Sequence, residues 1–320
     1  MRAAVCLEHG PPEVVQVIEL PVPTAAAGQV LVRVSVAAVN FPDVLLVADR
    51  YQVSVPAPFV PGSEFSGVIT QVGSGVTDFA VGDRVTGTTM FGAFAEQTCV
   101  PTAALARIPE DIDDRTAAAS GVAFRTAYHC LRSMALVSAG DVVVVLGAGG
   151  GVGLASVALA TALGARVIAV ASSDEKLDAA SRYGAAVSIN YRDENLRSAL
   201  KQALPTGADA VVDPVGGDLS EPALRALSRG GRFVTVGYAS GDIPSIPLNL
   251  VLIKGIQVLG FQFQDVPAAE FTRNEHELRE LLSSGAVRPH IGAEFALTDT
   301  AAALRMVADG KAIGKVLISP

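Results

Sequence analysis

The sequence predicts an α/β protein in which a doubly wound parallel sheet is inserted into a smaller, β-rich unit of barrel type. Three observations predict it. A glycine-dense turn lies between an apolar strand and an apolar helix within Asp141 to Lys176. Strand and helix patterns then alternate as far as Phe261. Before that stretch, short strands are broken repeatedly by glycine and proline, and a last strand signal comes only near the C-terminus.

The first part reads as strands because apolar and polar positions take turns. Val30, Val32, Val34 and Val36 alternate with Leu31, Arg33 and Ser35, the period of a half-buried strand. Pro11-Pro12, Pro61-Gly62 and Val81-Gly82-Asp83 punctuate it as turns. A helical stretch follows, Thr116 to Leu136. From there the expected strands are Asp141–Leu146, Val167–Ala171, Val187–Tyr191, Ala208–Asp213, Arg232–Gly237 and Gln257–Phe261. The expected helices between them are Val152–Leu163, Ser173–Arg182, Glu194–Leu204 and Leu219–Ser228. Two more helices, Ala268–Ser283 and Asp299–Ala308, precede a final strand, Gly314–Ser319. The expected divisions are 1–121 for the first domain, 122–264 for the inserted sheet and 265–320 for the return to the first domain.

The glycine turn carries the chemistry. Gly147, Gly149, Gly150, Gly151 and Gly153 follow the valine-rich strand at once, and so few side chains let the backbone approach a pyrophosphate. Val152 to Leu163 is apolar almost all round, as in a buried helix, and its N-terminus directs unpaired amides at the turn. Gly164 is placed to end it. A strict G-x-G-x-x-G is absent because Ala148 takes the first position, but Gly150 and Gly153 keep the pyrophosphate and helix-packing positions. Gly149 to Gly153, with Val152 among them, are therefore the expected cofactor-binding turn. The second strand ends in Ala171-Ser172-Ser173 with no acid at its tip. A carboxylate there would bond a ribose 2′-hydroxyl and repel a 2′-phosphate, whereas Ser172, Ser173 and Lys176 suit the phosphate, so NADPH is expected over NADH. Ser173 can also cap the next helix, whose dipole Asp174 and Glu175 complement; the two roles are compatible.

Bulk properties narrow the class. The chain has 320 residues, is 50% hydrophobic and 18% charged, and carries a formal charge of -8. No basic stripe supports phosphate neutralisation, which argues against nucleic acid. The helical stretches are too short for a bilayer and no signal peptide is indicated, so no membrane role is expected. Cys6, Cys99 and Cys130 are scattered and odd in number, which suggests a reducing compartment and cytoplasmic location.

Six segments in order and spacing resemble the medium-chain dehydrogenase/reductase superfamily, in its zinc-free quinone oxidoreductase branch: Ala38-Val39-Asn40-Phe41-Pro42-Asp43, Pro61-Gly62-Ser63-Glu64-Phe65-Ser66-Gly67, Val81-Gly82-Asp83-Arg84-Val85, Ala148-Gly149-Gly150-Gly151-Val152-Gly153, Val212-Asp213-Pro214-Val215-Gly216-Gly217 and Gly310-Lys311-Ala312-Ile313-Gly314-Lys315. The resemblance covers nearly the whole length. It implies a Rossmann sheet inserted in a GroES-like catalytic domain. Alcohol dehydrogenases of the superfamily hold zinc through Cys and His. No Cys lies in Asn40 to Asp43, and Ser63 stands in place of the His, so no metal site is expected. His9, His129, His276 and His290 read as structural or surface residues. Without a Lewis acid, the reaction that remains easy is hydride delivery to an electron-poor acceptor, a quinone or an enone.

The resemblance also assigns residues. Asn40 would bond cofactor or substrate oxygen, and Asp43 belongs to the same segment, though a helix-start role suits it better. Tyr51 would donate a proton or orient a carbonyl; partly buried packing is the competing role. Thr126 would contact the nicotinamide amide or the adjoining phosphate. Tyr191 would lie against the 2′-phosphate with Ser172 and Lys176. Gly237, Tyr238, Ser240, Phe261 and Phe263 end two strands on the ligand-binding edge, where their backbones would line the nicotinamide pocket. Lys315 corresponds to a basic or polar position near the cofactor. Relatives commonly dimerise through edge strands, so Gln257 to Phe261 is the expected seam of a homodimer. The alternatives left open are an enone or enoyl-thioester reductase and an NADPH-binding scaffold with little turnover.

Overall fold

A computed structural model describes residues 1–320, except for the side chain of Gln264. The chain separates into two compact units, Met1–Val122 with Pro289–Pro320, and Ala123–Arg288.

The first run of the chain forms β1 (Arg2–Cys6), β2 (Val15–Glu19), β3 (Gln29–Val39), α1 (Phe41–Val47), β4 (Glu64–Val72), β5 (Arg84–Thr88), β6 (Gln97–Pro101), β7 (Leu105–Arg107) and α2 (Asp114–Ser120). The second unit holds α3 (Ala123–His129), β8 (Val142–Leu146), α4 (Gly151–Ala162), β9 (Arg166–Ala171), α5 (Asp174–Arg182), β10 (Ala185–Asn190), α6 (Leu196–Ala203), β11 (Ala208–Asp213), α7 (Ser220–Ala226), β12 (Leu227–Thr235), α8 (Leu248–Lys254), β13 (Gln257–Gly260) and α9 (Ala268–Ser283). The returning segment supplies β14 (Ile291–Ala296), α10 (Thr300–Ala308) and β15 (Lys315–Ser319).

In the first unit a sheet runs β14-β15-β3-β4-β5-β7, with β6 also paired to β3. β3 is its spine, antiparallel to β15, β4 and β6. The valines that alternate along it, Val30, Val32 and Val34, join Phe65, Ile69, Val85 and Ile318 in one core. The return of β15 beside β3 pairs Val316 with Val39, which brings Lys315 to the end of β3.

The second unit is a parallel sheet ordered β10-β9-β8-β11-β12-β13. The chain starts in β8, builds outward through β9 and β10, then crosses to β11 on the other side of β8. That reversal leaves a crevice at the carboxyl end of β8, the place where such sheets take ligands. Val143, Val144, Val145 and Leu146 are fully buried, as covering on both faces requires. Helix α4 stops at Ala162, and Gly164 follows with φ +83°, the left-handed conformation that a helix C-terminus favours.

Four expectations need correction. The single helix expected over Thr116–Leu136 is two helices and a π-helical turn, Cys130–Met134. The break falls at Gly121-Val122, because the Glu64 carboxylate takes the Val122 N–H at 2.5 Å. Segment 265–288 stays with the parallel sheet, and the return begins at Pro289 rather than at 265. The cause is side-chain bonding: α9 packs on α3, and Glu275 and Glu277 of α9 hold Arg125, Tyr128 and Arg132. Leu248–Lys254 is a helix that the sequence pattern did not reveal, since none of its residues is buried. Strand β12 begins at Leu227 rather than Arg232 and ends at Thr235, so α7 is shorter than expected.

Candidate functional site

The glycine turn in the second unit is built as a cradle. Gly150 is the residue before α4, and its N–H bonds Gly147 O at 2.9 Å. A Cβ on Gly153 would collide with the Gly147 carbonyl, so this position packs the helix against the turn. A Cβ on Gly149 would collide with the Lys176 side chain. A Cβ on Gly150 would meet nothing nearer than Gly147 O at 3.5 Å, which leaves that side of the turn open. Val152 lies in the first turn of α4, and Ser156 bonds its carbonyl.

The tip of β9 lies beside this turn. Lys176 donates to Ser172 Oγ at 3.1 Å. Burial, then the nearby Arg192 charge, lowers the Lys176 pKa. Arg192, which the sequence reading missed, thus adds a second cation here; its only signal was its position after Tyr191. Ser173 holds the N-cap position of α5 with no side-chain capping bond, so its hydroxyl is not spent on the helix. Tyr191 follows β10 and its N–H bonds Ala171 O at 3.1 Å, which ties it to the end of β9. This brings Gly149, Ser172, Lys176 and Tyr191 together.

The other expected residues of this unit are placed as follows. Thr126 is largely buried on α3. Gly237, Tyr238 and Ser240 form the loop after β12, where the Ser240 N–H bonds Val215 O at 2.9 Å. Tyr238 is partly exposed. Phe261 and Phe263 follow β13 and pack with Phe271 around His129, with ring centroids 4.8 to 6.5 Å apart. His129 is fully buried: Nε2 lies 3.1 Å from Glu275 Oε1, and Asn274 Nδ2 lies 3.1 Å from Nδ1. An amide nitrogen only donates, so Nδ1 accepts and Nε2–H donates to Glu275. Burial would raise the Glu275 pKa, but bonds from His129 and Arg125 outweigh it and the net shift is downward.

The first unit buries a second polar cluster. Asn40 follows β3 and caps α1, and the Asp43 carboxylate reaches back to its N–H at 2.7 Å, the helix-start role. Lys315, at the start of β15, donates to Asn40 Oδ1 at 2.6 Å, to Val39 O at 3.2 Å and to Glu64 Oε1. Glu64 Oε2 takes the Val122 N–H. Asn40 Nδ2 donates to Ser63 Oγ at 3.1 Å. Lys315 is 3% exposed, and its bonds go to internal acceptors, Asn40 among them. Burial pushes the Asp43 carboxyl up to about 7, against the pull of Asn40 and Ser63. Asp43 Oδ1 has no hydrogen-bond partner. Tyr51 lies beyond α1, half-buried against the core of this unit. Ser63 and Glu64 were quoted only as part of a motif. The signal that could have found Glu64 is an acid opening an otherwise apolar strand, with Lys315 opening another.

This cluster does not fit zinc. Its donors are a neutral amide, a hydroxyl and two carboxyl groups, of which Glu64 is already locked to an ammonium and Asp43 is bonded to the Asn40 N–H at the start of α1. Zinc takes thiolate, imidazole or free carboxylate, and Lys315 would repel the ion. Among the described residues, no group of three His, Cys, Asp or Glu could hold a metal. No helix among them is long and apolar enough to cross a membrane.

Comparisons with known proteins agree with the geometry. Residues 26–110 match the alcohol dehydrogenase GroES-like domain family, and residues 151–283 match the family described as zinc-binding dehydrogenase. The mouse quinone oxidoreductase-like protein 2 is 38% identical over 99% of this chain and 92% of its own. Human quinone oxidoreductase is 31% identical over 99% of this chain and 97% of its own. The Escherichia coli quinone oxidoreductase, solved in complex with NADPH, is 29% identical with a TM-score of 0.93 and full coverage of both chains. A glycine cradle at a sheet reversal and a GroES-like unit, joined to this likeness along the whole length, place the chain in the medium-chain dehydrogenase/reductase superfamily, among the quinone oxidoreductases.

Proposed function

We propose that the protein is a zinc-independent, NADPH-dependent oxidoreductase that passes a hydride to a quinone. NADPH is its cofactor; the relatives solved with NADPH and the Ser172–Lys176–Arg192 corner, with no acid at the β9 tip, support this. Bound NADPH supplies the hydride. The chain's residues bind it through the glycine cradle and α4 N-terminus, with Ser172, Ser173, Lys176 and Tyr191 on the 2′-phosphate and Thr126, Gly237, Tyr238, Ser240, Phe261 and Phe263 toward the nicotinamide.

The observation that carries the acceptor assignment is the Asn40–Ser63 pair. Lys315 only donates, so it turns Asn40 Oδ1 inward and leaves Nδ2 and the Ser63 hydroxyl as the donors of this cluster. A quinone spreads incoming charge onto its own oxygen, and fixed donors stabilise it without a Lewis acid. Tyr51 orients the carbonyl. The protein works in the cytoplasm as a homodimer. Supporting the dimer, β13 is an edge strand with Val258 exposed, and Leu248, Leu252 and Ile253 of α8 expose apolar side chains. A second copy is the occupant this face suits, and light scattering tests it.

The test of function is NADPH oxidation against quinones, enones and enoyl thioesters, with NADH in parallel. Quinone turnover with NADPH preferred is expected, and Lys176→Ala lowers that preference. Faster enone turnover moves the assignment to a C=C reductase; tight NADPH binding with no turnover makes the protein a scaffold.

A further inference from the structure

We propose that Asp213 is a positioning residue for hydride transfer: buried at the end of β11, it fixes loop 214–217 as a spacer between the glycine turn, which takes the pyrophosphate, and loop 237–240, which faces the nicotinamide. This role rests on the NADPH-dependent hydride step above and adds what sets the separation of the two halves of the cofactor site.

All of these residues lie in the second unit. Asp213 is fully buried at the carboxyl end of β11, the strand that pairs with β8 where the sheet order reverses. Its Oδ1 accepts the N–H groups of Val215 at 2.9 Å and Gly216 at 2.8 Å. Its Oδ2 accepts the hydroxyl of Ser220, the first residue of α7, at 2.5 Å, and Ser220 is fully buried as well. Closing a turn needs only the first oxygen. The third bond does more: with Oδ2 held from α7, the side chain has no rotation left, and loop 214–217 is fastened to the helix behind it.

The fastened loop touches both parts of the cofactor site. On one side Val215 lies against the glycine turn, where a Cβ on Gly147 would stand 2.6 Å from Val215 Cγ2. Gly147 is the residue whose carbonyl accepts the Gly150 N–H and packs against Gly153. On the other side the loop carries residues 237–240. The Ala239 N–H bonds Pro214 O at 3.2 Å, the Ser240 N–H bonds Val215 O at 2.9 Å, and the Gly217 N–H bonds Asp242 O at 3.0 Å. A Cβ on Gly216 would stand 2.8 Å from Tyr238 Cδ1, so the ring rests on this loop. The Val236 N–H bonds the Asp213 carbonyl at 2.8 Å, which leads the chain out of β12 into the same contact. One buried side chain therefore governs the backbone on which the turn and the nicotinamide loop both lean. Reacting atoms must be held in line and close, and a displacement of about 1 Å costs on the order of 10²-fold in rate.

The experiment compares two probes, NADPH and 2′,5′-ADP, which carries the adenosine and its 2′-phosphate without the nicotinamide. Asp213→Ala removes the acceptor of three donors. It should lower kcat with quinone about 10²-fold. It should also reduce the fluorescence enhancement of bound NADPH, which reports the surroundings of the nicotinamide. By calorimetric titration it should bind 2′,5′-ADP as tightly as the wild type does. Asp213→Asn keeps an oxygen for the two amide hydrogens and should recover most of the rate. Val215→Ala leaves the Asp213 bonds in place but withdraws the contact on Gly147. It should lower kcat about 10-fold with 2′,5′-ADP binding intact, and it carries the test if Asp213→Ala does not fold. Full-rate turnover with unchanged NADPH fluorescence in Asp213→Ala or in Val215→Ala overturns the spacer role. Equal weakening of both probes overturns it too, because a merely structural residue would loosen the whole site. A wild-type protein that binds NADPH but reduces no quinone overturns the acceptor assignment above, and the contrast between the two probes then still decides the role of Asp213.

Discussion

In the second unit, His129, Glu275, Asn274, Arg125 and Ser133 form a cluster in which each charge and each ring nitrogen has a partner. In the first unit, Lys315, Glu64, Asn40, Ser63 and Asp43 are buried more deeply, yet Asp43 Oδ1 is left unpaired. Both clusters lie inside apolar surroundings, where an unmet polar group costs about 1–3 kcal/mol. The satisfied cluster gains its value as a clasp that fixes α9 to α3. The incomplete one bears a standing cost, which shows as the raised pKa of Asp43.

Four measurements break or sharpen that contrast. The largest effect is expected for Lys315→Met, which leaves Glu64 buried without its cation. Denaturant unfolding should show a loss of up to about 5 kcal/mol, and an undiminished stability would mean that the pair contributes nothing. Next comes the pH dependence of Asp43. Its folded pKa is about 7 against a reference of 3.8, so between these values the folded chain binds a proton that the unfolded chain has released. Stability therefore falls as pH rises through that window and levels above it. Asp43→Asn should remove that slope and gain on the wild type by roughly 4 kcal/mol between the two ends; parallel stability curves for the two proteins would refute the raised pKa. In the satisfied cluster, His129→Phe fits the aromatic surroundings and leaves Arg125 on Glu275 and Ser133 on Asn274. It should cost about 1–2 kcal/mol by thermal unfolding and retain quinone turnover. The smallest effect is expected for Ser133→Ala, about 1 kcal/mol or less, since Arg273 still bonds Asn274. Should either of these last two cost as much as Lys315→Met, the clasp and the buried Lys315 cluster are not different in kind.

The sequence reading was strongest where structure is set by neighbours along the chain. The β8–α4–β9 stretch was legible because a valine run, a glycine turn and an apolar helix each carry their own local cause. It was weakest where a distant residue decides. Nothing near Gly121 announces a helix break, because the acceptor of the Val122 N–H is Glu64, 58 positions away. Helix α9 was assigned to the wrong unit for the same reason: its glutamates answer basic residues of α3 and the turn after it, about 150 positions earlier. Lys315 entered only through the resemblance, because its bonds to Glu64 and Asn40, 251 and 275 positions away, have no local signature. Asp43 was legible as a helix-start residue, but its unpaired oxygen is a property of the packed cluster and has no sequence signature. Helix α8 escaped because none of its residues is fully buried and only Leu250 packs partly on the core, too little for an inward stripe.

The Val122 amide gives the first unit a built-in gauge. Its hydrogen is held by Glu64 Oε2, and Val122 is the last residue before the chain leaves that unit. Exchange of this one hydrogen with deuterated solvent therefore reports how long Glu64 keeps hold of the end of the unit. A labelled valine at this position would let the electrostatic health of the buried cluster be followed in real time, without any substrate.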